Sequence, residues 1–500
     1  MLKKLLSRTA ITAVIILVQI VWIVALLLRL SDALPVMNYV LRILSLVAVL
    51  HVIKNDMDPS YKVSWVLFIA LLPLFGGLMY VLFGNKRPTR FIRDKLNVQL
   101  EETARYYTMR PSAAEEIDDD DARGLFKYLE SYSGYRACRD TKTEYFPVGE
   151  DMFARLIPEL EKAEEFIFLE YFIINSGQMW NSVLDVLRRK VAQGVDVRVI
   201  YDDVGCADYL PANYCQTLRS YGIKAMVFNK FVPVVSVVMN NRDHRKITVI
   251  DGKVGFIGGI NISDEYINKK IRFGYWKDAG IRVEGECVNS FTTMFLEMWN
   301  YINKDNAVHD EYLNPHNTFS QSEESGFVQP FCDSPLEHDD VGENLYVSII
   351  SRAKKYVYIF TPYLILGTEL SHAMISAARS GVDVRIVVPK IPDKKLIYLQ
   401  TKANFRPLIE AGVRIYLYTP GFIHSKCIVA DDDTAIVGTC NLDFRSMYWN
   451  FEDFVYMYRT QCIGKIKEDA IETFAVSEEV YEESTNDISF AGRLLQSILQ

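Results

Sequence analysis

Absences narrow the field first. The eight cysteines form no C-x-x-C pair and match no zinc-ligand spacing. Cys427 and Cys440 lie inside apolar, strand-like runs and read as small buried hydrophobes of a reducing compartment. Positive charge is in short supply: 55 Lys and Arg stand against 63 Asp and Glu, a net charge of −8. That balance argues against a dedicated nucleic-acid binder, which carries a basic face. It leaves an anionic substrate open, because local field outweighs net charge. No carboxylate cluster suited to a metal is visible. His309, His316 and His338, in the polar stretch 303–340, fit no ligand pattern and read as solvated linker residues, and His51 and His372 read as incidental. With 50% apolar residues over 500 positions, the chain is not disordered and has room for two to four domains.

The first 85 residues differ in composition. Residues 11–28 are apolar apart from one Gln, long enough to cross a bilayer, and followed by no small-residue cleavage site, so a membrane helix is expected rather than a signal peptide. Residues 63–83 form a second expected span, with Pro73 tolerable in a membrane helix, and the shorter run 38–53 forms a third span or a surface helix. Lys86, Arg87, Arg90, Arg93 and Lys95 place the large C-terminal part on the cytoplasmic side and could hold anionic headgroups. Lys3, Lys4 and Arg8 favour the same side for the N-terminus, and three full spans cannot satisfy both. The acidic run 115–121 reads as a solvated linker face.

From about residue 145 strands and helices alternate. EFIFLEYFII (165–174) reads as a strand, 179–194 as an amphipathic helix ending at Gly194, VDVRVIYDD (195–203) as a strand, and IKAMVF (223–228) as another. The order returns with YVYIFTPYLI (356–365), a helix at 370–381, VDVRIVVP (382–389) and VRIYLY (413–418), and GVDVR occurs verbatim at 194–198 and 381–385. A whole domain is duplicated. Helices between buried strands predict an α/β fold with a mixed, mostly parallel sheet flanked by helices in each half.

Each half ends in the same pattern. His244, Lys246, Asp251 and Asn261 return as His424, Lys426, Asp431 and Asn441, with the Asp seven and the Asn seventeen residues after the His both times. ITVI and VGFI around Asp251-Gly252 predict a hairpin, with His244 and Lys246 on one strand face. The aspartates are read as catalytic candidates or as turn residues. Gly258-Gly259 and Gly438-Thr439 are expected to let the backbone approach a bound anion. If the halves pack pseudo-symmetrically, one pocket receives two imidazoles, two ammonium groups and two carboxamides. One His can then attack phosphorus while the other handles the proton, and Lys246, Lys426, Asn261 and Asn441 hold the phosphate oxygens, without a metal or cofactor. A nucleophilic imidazole needs a carboxylate on its other nitrogen, and Asp278 in YWKDAG and Glu452 in NFEDF are the candidates.

The doubled H-x-K-x4-D-x6-G-[GT]-x-N pattern resembles that of the phospholipase D superfamily. GGINISDEY (258–266), GTCNLDFRSMYWNFE (438–452) and the apolar run 58–84 are similar to the wording of bacterial cardiolipin synthases. The resemblance covers about residues 38–500. It implies two pseudo-symmetric phospholipase D-like lobes, at 141–303 and 341–500, joined by a linker at 304–340. Transmembrane helices would fill 1–85, with a linker or amphipathic region at 86–140. It implies conversion of two phosphatidylglycerol molecules into cardiolipin and glycerol through a phosphatidyl-histidine, with His244 and His424 as nucleophile and acid/base. Anionic phospholipid, a bacterial cell membrane crossed several times with the lobes cytoplasmic, and no nucleic acid are the implied partners and location; a homo-oligomer is left open. A phospholipase D hydrolase, a phosphatidylserine synthase and, with less support, a nuclease of the superfamily would use the same tetrads. Residues 11–28 are an addition to the two spans common in the family.

Overall fold

A computed structural model describes residues 35–55, 59–84, 111–139, 141–230, 241–304, 309–313, 326–336 and 339–482, with scattered positions between 14 and 29. Most of the expected span 11–28, the basic cluster 86–95, His316 and His338 lie outside the described residues.

The duplication is visible as two sheets with the same strand order. In the first the order is Thr141–Phe146, Gly280–Gly285, Val254–Gly258, Lys246–Ile250, Phe166–Tyr171, Asp196–Asp202 and Lys224–Phe228. The second runs Phe327–Asp333, Asn450–Tyr458, Thr434–Gly438, Cys427–Ala430, Tyr356–Phe360, Asp383–Pro389 and Arg414–Tyr418, with Ser477–Val480 added at the edge. The expected hairpin forms, with Thr248 opposite Phe256 and Ile250 opposite Val254.

The expectation of mostly parallel sheets is corrected. Within each lobe only the three strands joined by helical crossovers run parallel, Phe166–Tyr171 to Asp196–Asp202 to Lys224–Phe228 and their counterparts. The others pair antiparallel, because each motif strand turns back on itself at an Asp-containing hairpin and needs no crossover helix.

Of the two readings for 86–140, linker or amphipathic region, the described part is an amphipathic helix packed on the core. Asp119 in the acidic run accepts the Ala122 N–H at 2.9 Å and caps the helix Asp120–Ser133. That helix buries Leu125, Phe126 and Leu129, and the Phe126 ring lies 4.6 Å from that of Tyr456. The segment belongs to the core.

The expected single span 63–83 is two helices, Pro59–Leu71 and Pro73–Phe83. Pro73 lacks an N–H and pushes Leu72 out of helical geometry, to φ −131° and ψ 69°. The second helix folds back on the first, which brings the rings of Trp65 and Tyr80 to 5.3 Å. Neither piece approaches the ~20 residues that span a bilayer. The run 38–53 lies in the helix Pro35–Lys54. Among the described residues, no helix is both long and apolar enough to cross a membrane.

The lobes interlock. One buried apolar cluster runs from Phe168 and Phe295 in the first to Phe331, Phe454 and Ile466 in the second. Two short parallel pairings cross between them: Arg242–Asp243 beside Asn450–Phe451, and Gly421–Ile423 beside Tyr275–Lys277. Each pairing lies directly before a motif histidine on one strand and before a carboxylate on the other.

Candidate active site

That cross-lobe pairing decides which carboxylate meets which imidazole. The His244 N–H donates to the Phe451 carbonyl at 3.0 Å, and His244 Nδ1 lies 2.8 Å from Glu452 Oε2. The His424 N–H donates to the Lys277 carbonyl at 2.7 Å, and its Nδ1 lies 2.6 Å from Asp278 Oδ2. Each lobe's carboxylate therefore holds the other lobe's histidine. Sequence offered both carboxylates but not the crossing, because the register between lobes is a tertiary fact.

The two pairs are not equivalent. Glu452 accepts from Thr439 Oγ1 at 2.5 Å and from Asn450 Nδ2 at 3.0 Å. Burial pushes its carboxyl up, but His244, Lys246 and the Thr439 hydroxyl outweigh this and hold it below its ordinary value. Burial pushes His244 down to about 4 against the pull of Glu452. An ionised carboxylate only accepts, so Nδ1 of a neutral His244 carries the proton and Nε2 keeps its lone pair. Asp278 accepts only the Ala279 N–H at 2.9 Å besides its histidine, and burial pushes it up to about 7 against the pull of Lys426. Burial, then Lys426 and Lys246, hold His424 well below its ordinary value. A proton shared between Asp278 and His424 is thus available near neutral pH.

Lys246 and Lys426 each donate from Nζ to the carbonyl of the histidine two residues earlier. Lys426 Nζ is also 2.7 Å from His424 Nδ1. That nitrogen has one hydrogen-bonding role, taken by Asp278, so Lys426 acts on it through charge. Burial lowers both ammonium groups, Lys426 to about 8. Both carboxamides are buried. Asn261 Oδ1 accepts the Ile173 N–H at 2.9 Å and its Nδ2 donates to Tyr266 Oη at 2.8 Å, while Asn441 Nδ2 donates to Ser446 Oγ at 3.1 Å.

The structure does not bring Asp251 and Asp431 into the centre, which corrects their catalytic candidacy. Each sits past the far end of its motif strand with φ near +50° and closes a turn. Asp251 accepts the N–H groups of Glu164, Glu165 and Phe166 at 2.8 Å each, and Asp431 those of Lys354, Lys355 and Tyr356 at 2.6–3.0 Å. Both pin the start of the neighbouring strand. The Gly-Gly and Gly-Thr pairs are corrected too. A Cβ on Gly259 would lie 2.0 Å from Asp278 Oδ1, and one on Gly438 2.5 Å from the Asp453 carbonyl. These positions leave room for the orienting carboxylate and its strand rather than for an anion.

Sequence reasoning missed the surroundings. His424 sits in an aromatic box of Tyr266, Trp276 and Phe422, with ring centres at 5.7, 5.5 and 5.8 Å. Beside His244 lies a buried charged cluster: Arg245 contacts Glu170 at 2.5 Å and Asp243 at 3.3 Å, and Arg242 contacts Asp202 at 3.4 Å. The signal was present in the flanks, RDHRK (242–246) against FIHSK (422–426), where charged residues on one side face apolar ones on the other.

A family model described as a cardiolipin synthase, phospholipase D-like domain matches residues 156–299 and 346–474. Another, described as a phospholipase D-nuclease N-terminal region, matches residues 43–85. The chain is 34% identical to a cardiolipin synthase of Alkalihalophilus pseudofirmus, over 87% of this chain and 86% of that one. It is 33% identical to a cardiolipin synthase of Listeria monocytogenes, over 90% of this chain and 96% of the other. The crystal structure of a phosphatidylserine synthase from Haemophilus influenzae covers 75% of this chain and 96% of its own at a TM-score of 0.57 and 16% identity, a likeness of fold.

Proposed function

The chain belongs to the phospholipase D-like cardiolipin synthase family, and we propose that it joins two phosphatidylglycerol molecules into cardiolipin and glycerol. The observation that carries this reading is the crossed pairing of His244 with Glu452 and of His424 with Asp278. It supports one shared centre with two imidazoles in unlike states.

The first phosphatidylglycerol places its phosphorus between them. His244 Nε2 attacks, forming a P–N bond while the P–O bond to the headgroup glycerol breaks. His424 gives its Nε2 proton to the leaving alkoxide as its Nδ1 takes the proton held by Asp278. A terminal hydroxyl of a second phosphatidylglycerol then gives its proton back to His424 and attacks phosphorus, breaking the P–N bond and yielding cardiolipin. Lys246 and Lys426 neutralise charge on the phosphoryl oxygens, where a low-dielectric site makes each ammonium more effective than in water. Asn261 and Asn441 support the same oxygens by donating the second hydrogen of each Nδ2. The N-terminal apolar segments hold the chain at a bacterial membrane, with the lobes on the cytoplasmic side.

The test is incubation of the purified chain with phosphatidylglycerol labelled in its headgroup glycerol. Cardiolipin and free glycerol in equal amounts are expected. Phosphatidic acid without cardiolipin identifies a hydrolase, and phosphatidylserine formed on adding serine identifies the other transferase; either result overturns the assignment.

A further inference from the structure

Two loops, one from each lobe, border His424. The first follows Asn261, places Tyr266 against the imidazole, and continues as NKKIRFG over 268–274. It is an elaboration of the fold: Asp278 comes seventeen positions after Asn261, whereas Glu452 comes eleven after Asn441. The second follows the strand Asp383–Pro389 and reads KIPDKKL over 390–396, its last two residues opening the helix Lys395–Ala403. Its Lys390 N–H donates to the Tyr418 carbonyl at 3.2 Å, on the segment that leads to His424, and its Asp393 accepts from Tyr363 Oη at 2.6 Å.

Both loops expose what a folded surface ordinarily keeps apart. Ile271 is 82% exposed, Leu396 64% and Ile391 42%. Lys269, Lys270, Lys394 and Lys395 are exposed beside them. A single exposed Leu needs no explanation, but apolar tips flanked by lysines on two loops at one site do. The duplication supplies a control. The first-lobe counterpart of the second loop, DVGCADYL at 203–210, has two acidic residues and no basic one, so the fold itself does not demand lysines there. On a chain of net charge −8, this basic and apolar rim is a local exception.

We propose that the loops 268–274 and 390–396 form a docking rim for an anionic lipid surface, their apolar tips entering the interface and their lysines meeting headgroup phosphates. Lysines alone would suit a nucleic acid or an acidic protein; Ile271 and Leu396 between them suit a bilayer, whose interface is apolar on one side and anionic on the other. The rim would deliver headgroups to the His424 side of the centre, and to that extent the proposal rests on the phospholipid reading.

The full chain is reconstituted into bilayers of phosphatidylglycerol or of phosphatidylcholine, with Ile271→Trp and Leu396→Trp as separate reporters. Emission in excess of the unsubstituted protein should be quenched by lipids brominated high on the acyl chain in the anionic bilayers. Replacing the four lysines by Gln should weaken the quenching association, by about fivefold per lysine. An unquenched reporter, or equal quenching in phosphatidylcholine, overturns the proposal. In turnover, Ile271→Asp with Leu396→Asp should lower activity on vesicles about tenfold and leave activity on monomeric short-chain phosphatidylglycerol unchanged. Equal loss on both substrates also overturns it, because the loops then serve the chemistry. If the unsubstituted chain makes no cardiolipin, the proposed reaction fails while the quenching still decides the rim.

Discussion

Replacing Glu452 by Gln removes one charge and little volume from a carboxylate that touches His244, Thr439 and Asn450. Attack on phosphorus turns the neutral His244 ring into a cation, and Glu452 is the charge placed to meet it at 2.8 Å. A pair of unit charges about 4 Å apart at an effective dielectric constant near 20 interacts by about 4 kcal/mol. Each 1.4 kcal/mol is a factor of ten, so about a thousandfold loss of transfer is expected, with the fold kept because the amide still packs and still accepts from Thr439. The assay is rapid-quench recovery of the acid-labile phosphatidyl-enzyme, followed by mass spectrometry of the peptide that carries it. Glu452→Gln should suppress the adduct on the peptide containing His244, although Glu452 belongs to the other lobe. An adduct formed at the normal rate, or one carried by His424, refutes the crossed assignment of roles.

Three further outcomes are expected. Because burial raises Asp278 to about 7, the proton it shares with His424 is lost as pH rises through that value, so kcat/KM should fall about tenfold per unit above pH 7, and again below about 4 as His244 gains a proton; a rate that climbs from pH 6 to 9 contradicts this. Gly259→Ala should lower activity at least a hundredfold with an unchanged thermal midpoint, since the added methyl displaces Asp278 (about 3 kcal/mol of lost transition-state stabilisation); normal turnover would show that Asp278 is dispensable. Asp251→Ala leaves three strand-end N–H groups without their acceptor, so denaturant titration should record about 3 kcal/mol less stability with little change in turnover per folded molecule.

The paired tetrads were legible in the sequence because their spacing is local. The His-x-Lys pairs at 244 and 246 and at 424 and 426 were read as sharing a strand face; instead His244, His424 and Lys426 lie in the links just before the strands Lys246–Ile250 and Cys427–Ala430. The duplicated succession of strands and helices along the chain likewise followed from apolar runs and Gly-terminated helices. Asp251 and Asp431 misled because a repeated spacing inside one motif does not say which end of the strand the side chain serves; their left-handed backbone answers that. Strand direction was misjudged because alternation of helix and strand stops just before each motif, where hairpins take over. The crossing of carboxylates between lobes could not be read at all, since it arises from pairing Arg242–Asp243 with Asn450–Phe451 and Gly421–Ile423 with Tyr275–Lys277. Thr439 was visible, but its role differs from the expected one. The slot that is Gly259 beside a short Asp is Thr beside a longer Glu, and the hydroxyl reaches the carboxylate.

The proposed transfer requires that one phosphorus serve both imidazoles. A crystal structure of the full chain soaked with orthovanadate tests this directly. A single vanadium per chain is expected, bonded to Nε2 of His244, with Nε2 of His424 within hydrogen-bond reach of an oxygen on the opposite face. Two vanadates, each held by one histidine in its own cavity, would contradict it.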